Sequence, residues 1–305
     1  MSGDFVFRPV RSEDKSRVLE FTAHTWDDGD YIHDVFDLWL ADADGQFTAV
    51  ELDGRAIAIA KLTDLGEGEV WLEGLRVVAA HRQKGIGEAL HNYQVGLARQ
   101  IGARILRYAT GTENAVSLMF GERTGFRRVC NFRWHVADAS TEFSLPEPLS
   151  LDDLPQLRAW LDSPLLRSAH GLYPRLWKWS RLSEARLARH LRAGEVFGLP
   201  GASGLRAWSI CSLFEGWNEA QMHHLDGADQ ASVVELAQSM RGYAASGGRE
   251  KTECFALDPS PSLPTPFGRG LRRAGPSPLI DSLRDAGYAG EDFVMAILEL
   301  ELERA

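Results

Sequence analysis

The chain has 305 residues, 44% hydrophobic and 25% charged, a make-up that suits two globular domains and excludes a disordered or fibrous protein. Its net charge of -10 argues against broad affinity for nucleic acid or anionic membrane, which need basic surface, and suits small cationic or amine-bearing partners. No run approaches the roughly 18 to 20 apolar residues that cross a bilayer, residues 1–9 lack the order of a signal peptide, and Cys130, Cys211 and Cys254 are too scattered for a disulfide framework or metal knuckle, so a cytoplasmic, metal-free protein is expected, monomer or homodimer.

In chain order, residues 4–10 alternate like a strand, and Ser12 with Glu13 and Asp14 opens a helix. Tyr31–Ala41 places Ile32, Val35, Phe36 and Trp39 on one helical face. Gln46–Lys61 reads as a hairpin turning at Asp53-Gly54. Glu69–Val78 is a strand interrupted by Gly74, as at a bulge or a close backbone approach. A turn at 79–87 leads to a helix at Glu88–Ile101, a strand at Arg104–Ala109, a helix at Ala115–Arg123 and a strand at Phe126–Val136. This order predicts an α/β protein with a mixed sheet covered by helices. Residues 137–150, with Pro146 and Pro148, form a connection, giving expected domains at 1–140 and 141–305.

The second half repeats the order without repeating the sequence. Helices are expected at Leu151–Asp162, Leu182–Ala193, Ala231–Ala245 and Pro278–Ala286, and strands at Glu195–Leu199, Leu205–Ser212, Asn218–Leu225, Lys251–Leu257 and Glu291–Leu300. A duplicated fold follows. Pro259–Pro278 reads as a surface crossing whose Arg269, Arg272 and Arg273 are solvated. His223 and His224 are adjacent, which on a regular strand points them to opposite faces and makes a poor metal pair.

The chemistry concentrates in Arg82-Gln83-Lys84-Gly85-Ile86-Gly87, which follows an apolar strand and precedes a long helix. A diphosphate brings negative charge and many acceptor oxygens, and such a turn offers it backbone N–H groups and the positive end of a helix. Arg82 and Lys84 add charge, and Gly85 and Gly87 let the backbone come close. The segment WLEGLRVVAAHRQKGIGEAL, residues 71–90, resembles the acetyl-CoA signature of the Gcn5-related N-acetyltransferase (GNAT) superfamily, and Asn114 through Phe126 resembles that family's following helix and final strand.

The resemblance implies tandem GNAT-like domains, the second degenerate because its corresponding turn, Asp226-Gly227-Ala228-Asp229-Gln230, carries two acids and no base. It implies acetyl-CoA as cosubstrate, held by Leu75, Arg76 and Val77 on the strand, by residues 82–87 at the pyrophosphate, and by Asn114 and Ser117 from the next helix. It implies Glu73 as general base, in an N-acetyltransferase that transfers acetyl directly to a primary amine of a small molecule. The family's proton-donating tyrosine falls at Gly121 here, leaving Tyr93, Tyr108, Ser117 or water to serve. Trp26, Asp30 and Tyr31, aromatic and acidic together, are expected to enclose the amine. This segment with Trp39, EGLRV and a second half resembles the two-domain histidine N-acetyltransferase-like proteins, which makes an amino acid a candidate acceptor. The alternatives are a non-catalytic acetyl-CoA sensor and a protein or peptide N-acetyltransferase.

Overall fold

A computed structural model describes residues 5–25, 29–202, 204–259 and 277–303; Trp26 and the arginines 269, 272 and 273 lie outside them. Residue contacts divide the described chain into two compact units, one within 1–108, 121–127 and 299–305, the other within 109–120 and 128–298.

In chain order the elements are β1 (Val6–Pro9), α1 (Lys15–Thr22), α2 (Ile32–Ala41), β2 (Gly45–Leu52), β3 (Arg55–Asp64), β4 (Glu69–Val77), α3 (Ile86–Gln100), β5 (Ile105–Gly111), α4 (Ala115–Arg123) and β6 (Arg127–Asp138). The first unit orders its strands β1-β2-β3-β4-β5, antiparallel except for the last, parallel pair. The expected hairpin is present and turns through Asp53 and Gly54, both at positive φ. Because side chains alternate along β3, Ile59 packs with Ile32, Phe36 and Trp39 of α2 on one face, while Ala58 and Ala60 pack with Ile86 and Leu90 of α3 on the other.

Next come β7 (Glu147–Pro148), α5 (Leu154–Leu157), α6 (Pro164–Ser168), β8 (Leu172–Arg175), β9 (Lys178–Arg181), α7 (Glu184–Arg192), β10 (Val196–Gly201), β11 (Gly204–Leu213), β12 (Glu219–Gly227), α8 (Gln230–Ser246), β13 (Lys251–Leu257), α9 (Pro278–Asp285) and β14 (Ala289–Glu301). The second unit orders its strands β14-β6-β13-β12-β11-β10-β7, with β12 and β13 the parallel pair. One face packs on α8 and α9 through Leu236, Met240 and Leu283, the other on α5 to α7 through Leu157, Leu166 and Leu187. The sequence misses the β8–β9 hairpin. Its two turn residues, Leu176 and Trp177, sit at φ 50° and 63° without the glycine or asparagine that normally announces such a turn. Among the described residues no helix is long and apolar enough to cross a membrane.

The end of β14 belongs to the first unit. There Arg107, 1% exposed, pairs with Glu69 at 3.2 Å and with Glu299 at 2.7 Å. A buried guanidinium requires such compensation. Glu299→Gln should therefore cost about 3 kcal/mol, read as a lower urea midpoint; an unchanged midpoint would mean that Glu69 alone suffices.

Candidate active site

The site is built around a defect in β4. Opposite β3, Ile59 pairs with Arg76 and Lys61 with Glu73, so Ala60 faces both Gly74 and Leu75. That is a β-bulge at the expected glycine. Gly74 sits at φ +67°, and a Cβ there would lie 2.5 Å from the Trp39 ring, so both the backbone conformation and the close approach of α2 demand glycine. On its other side β4 pairs with β5 only from Glu69 to Trp71, and the ladder stops before the bulge. The strand's main chain beyond Trp71 thus runs free of a parallel neighbour among the described residues. Two of its carbonyls take side-chain donors: Leu75 O accepts from Arg76 Nη1 at 3.2 Å and Val77 O from Arg82 Nε at 3.0 Å.

The turn that follows opens α3 without a side-chain cap. Gln83 and Gly85 take positive φ, Gly85 being the residue that starts the helix, and a Cβ on Gly85 would meet nothing within 4 Å. The first-turn N–H groups of a helix have no acceptor within it. Here they open beside exposed Arg82 and Lys84, while Ile86 is buried against β3 and anchors the turn. Gly87 lies over β4, its Cβ position 3.8 Å from Val77 Cγ2. A helix start with open N–H groups, placed past the end of the β4–β5 ladder, fits a long ligand with a diphosphate at one end.

Glu73 projects on the α2 side of the sheet, across from Lys61. Lys61 is fully buried and donates to Asp42, to Leu62 O at 2.8 Å and to Thr63 Oγ1 at 3.1 Å. Arg76, on the same face, holds Asp30 by two bonds, Nε to Oδ2 at 2.6 Å and Nη2 to Oδ1 at 3.3 Å. The Asp30 side chain is only 1% exposed. Tyr31 stands edge-on to Trp39, with ring centroids 6.0 Å apart, and under the Arg76 guanidinium. Burial pushes its phenol up to about 12, with Arg76 opposing the rise and Glu73 and Asp30 adding to it, although 43% of the residue remains exposed. The expected base and two of the expected substrate residues are thereby brought together. Arg76, expected along the cofactor strand, turns its side chain to Asp30; Lys61 was missed, and a lysine closing the apolar run RAIAIA was the available signal.

Residues 14–126 match the model of the acetyltransferase (GNAT) family. Over that stretch, 113 of the 305 residues, the chain is similar to GNAT acetyltransferases. In structure it resembles the GCN5-related N-acetyltransferase from Sphaerobacter thermophilus, at 13% identity and TM-score 0.65, over 97% of this chain and 95% of that one. It resembles a tandem GNAT protein from the clavulanic acid biosynthesis pathway, at 14% and 0.55, over 98% of both chains. A GCN5-related glucosamine N-acetyltransferase region of a fungal multi-domain β-N-acetylglucosaminidase aligns at 11% and 0.63, over 98% of this chain and 38% of that one. At such identities the likeness speaks for the tandem GNAT fold. No curated protein matches by sequence.

The remaining GNAT-derived expectations fall as follows. Asn114 Oδ1 accepts from Ser117 N at 3.1 Å, capping α4. Both residues belong to the second unit. Tyr93 stacks flat on Phe7 at 4.8 Å and Tyr108 packs edge-on against Phe126 at 5.1 Å, so each ring has a packing role.

The second unit keeps the strand geometry and loses the anion site. Between β11 and β12, Cys211 pairs with Met222 and Ile210 with His224, leaving His223 as an extra residue. The parallel β12–β13 ladder likewise ends at Met222. This bulge corrects the expectation for the histidines: the extra residue turns both toward one face, where they border the same cavity of about 30 Å³ with Tyr173 and Phe255. Among the described residues no cluster of three or more metal-type ligands forms. His223 instead bonds Ser212, which reaches Glu195, which holds His190 and through it Tyr173. Burial works to raise Glu195, but the bonds from His190 and Ser212 outweigh it and hold the carboxyl at about 2. At the start of α8 the Asp229 carboxylate accepts from Ser232 N at 2.8 Å, and a Cβ on Gly227 would lie 2.7 Å from Val233. The helix start that is open in α3 is filled here by the chain's own anion.

Gly74→Ala tests the bulge. Forcing a side chain onto the Trp39 ring at positive φ should cost about 2 kcal/mol and abolish acetyl transfer. A variant with wild-type melting and activity would show that the contact is dispensable.

Proposed function

We propose that this protein transfers acetyl from acetyl-CoA to a primary amine of a small molecule, with an amino acid as one candidate acceptor, by direct attack in a ternary complex. The observation that carries the reading is the uncapped, glycine-started α3, placed at the end of a strand that has shed its parallel partner. The backbone of residues 82–87 would hold the pyrophosphate, and β4 at Leu75, Arg76 and Val77, past the end of its ladder with β5, would pair with the pantetheine arm. Acetyl-CoA, when bound, supplies an activated acyl group. Glu73 takes the proton from the acceptor's ammonium, leaving a neutral amine, and a backbone N–H of Leu75 or Val77 faces the thioester carbonyl as hydrogen-bond donor. Tyr31 walls the amine site, with Asp30 behind. No side chain is assigned as proton donor; a thiol is a good leaving group and water suffices.

In this reading residues 1–140 form the catalytic domain and 141–305 a degenerate one, so each chain has one centre, in keeping with a cytoplasmic enzyme acting alone or as a homodimer. The filled helix start at Asp229 supports one centre per chain.

The test is free-thiol release from acetyl-CoA across amino acids, polyamines, aminoglycosides and lysine peptides. Glu73→Gln should keep acetyl-CoA binding and lose about 100-fold or more of turnover at neutral pH; equal turnover sinks the base assignment. Binding without turnover on any amine would favour a sensor.

A further inference from the structure

The strongest unassigned feature is the ion pair behind Tyr31. Asp30 sits just before α2, and Arg76 sits on β4 just past the bulge. One Asp30 oxygen, Oδ1, also accepts from Ile32 N at 3.2 Å, and the Asp30 carbonyl takes His33 Nδ1 at 2.7 Å, so the aspartate is fixed to the helix start as well as to the guanidinium. Arg76 is tied in turn to Leu75 O, inside the bulge. The pair therefore joins the helix bearing Tyr31 to the strand bearing Glu73 by bonds of defined direction. With its side chain 1% exposed, Asp30 has no surface left to offer an acceptor.

Building on the acetyltransferase reading, we propose that Asp30 and Arg76 form a charge-balanced latch beside Tyr31 at the amine site, and that Asp30 serves by cancelling the Arg76 charge rather than by binding the acceptor. An amine approaches as an ammonium. A bare guanidinium 5.5 Å from the Tyr31 ring would repel it, whereas a guanidinium engaged edge-on by a carboxylate presents little net charge. The groups facing Tyr31 are Asp30 from its own segment, Glu73 and Arg76 from β4, and the Trp39 ring; His33 bonds the Asp30 carbonyl, and Lys61 on the same sheet face carries its own carboxylate, Asp42.

Three variants decide it: Asp30→Asn, Arg76→Gln, and the two together. Asp30→Asn keeps an oxygen for Ile32 N and leaves the Arg76 charge uncancelled. It should raise KM for the amine about tenfold while KM for acetyl-CoA stays unchanged. The double variant, neutral on both sides, should return amine KM to within about twofold of wild type. A merely structural role would make the double variant at least as poor as either single one, and that result overturns the latch, as does an unchanged amine KM in Asp30→Asn.

A second readout is independent of turnover. A fluorinated tyrosine at position 31, which titrates below ordinary tyrosine, is followed by fluorine NMR against pH. Asp30→Asn should lower its midpoint by about one pH unit, and the double variant should restore it. An unmoved midpoint overturns the proposal even if no amine is ever turned over, an outcome that would count against the acetyltransferase reading alone.

Discussion

Everything at this site depends on one strand being paired on one side and released on the other. β4 keeps its antiparallel register with β3 through the bulge, which holds the strand in the sheet, but it abandons β5 after Trp71. The two facts are linked: an extra residue bends and twists a strand away from a straight neighbour. Gly74 makes the bend possible, and Trp39, packed where its side chain would be, makes it stable. An open strand edge is ordinarily a liability inside a folded unit. Here it leads directly to a helix start without a side-chain cap, so a strand edge past the end of its ladder and the open end of a helix lie in series, as the proposed extended, anionic ligand requires.

The α2 face of the same sheet solves an electrostatic problem. In the proposed reading it admits a cationic acceptor, and yet it contains Lys61 and Arg76, both largely buried. Each is given its own carboxylate from the segments flanking α2, Asp42 from behind it and Asp30 from in front. The helix thus contributes packing through Ile32, Phe36 and Trp39 and charge balance through its two ends. Burying a cation without a partner costs more than the fold can spare.

Much of this was legible in the sequence because periodicity and punctuation are local. The Asp53-Gly54 hairpin, the amphipathic α2, the break at Gly74 and the glycine-rich turn before α3 each carry their reason within a few residues. What the sequence hid depends on partners far away in the chain. Asp30 looked like a substrate carboxylate because nothing nearby announces Arg76, 46 residues on. His223 and His224 looked opposed because a bulge set by register with β11 has no glycine to mark it. The Leu176-Trp177 turn was invisible for the same reason: its backbone is held by tertiary contacts, with Trp177 packed on Trp134 and Phe255 and Leu176 N bonded to Gln221, rather than by residue type.

The buried Arg107 carries a consequence for how the chain acquires its shape. Glu69 is made early, but Glu299, the other carboxylate of that cage, lies 192 residues downstream of the arginine. A ribosome adding about 5 to 20 residues per second would take about 10 to 40 seconds to cover that distance. Throughout that interval the guanidinium has half its eventual compensation, and the first unit waits, incompletely neutralised, for the end of β14. The first unit is therefore not built from one unbroken stretch of chain: a carboxylate that its buried arginine needs is supplied only after the residues of the second unit have been made.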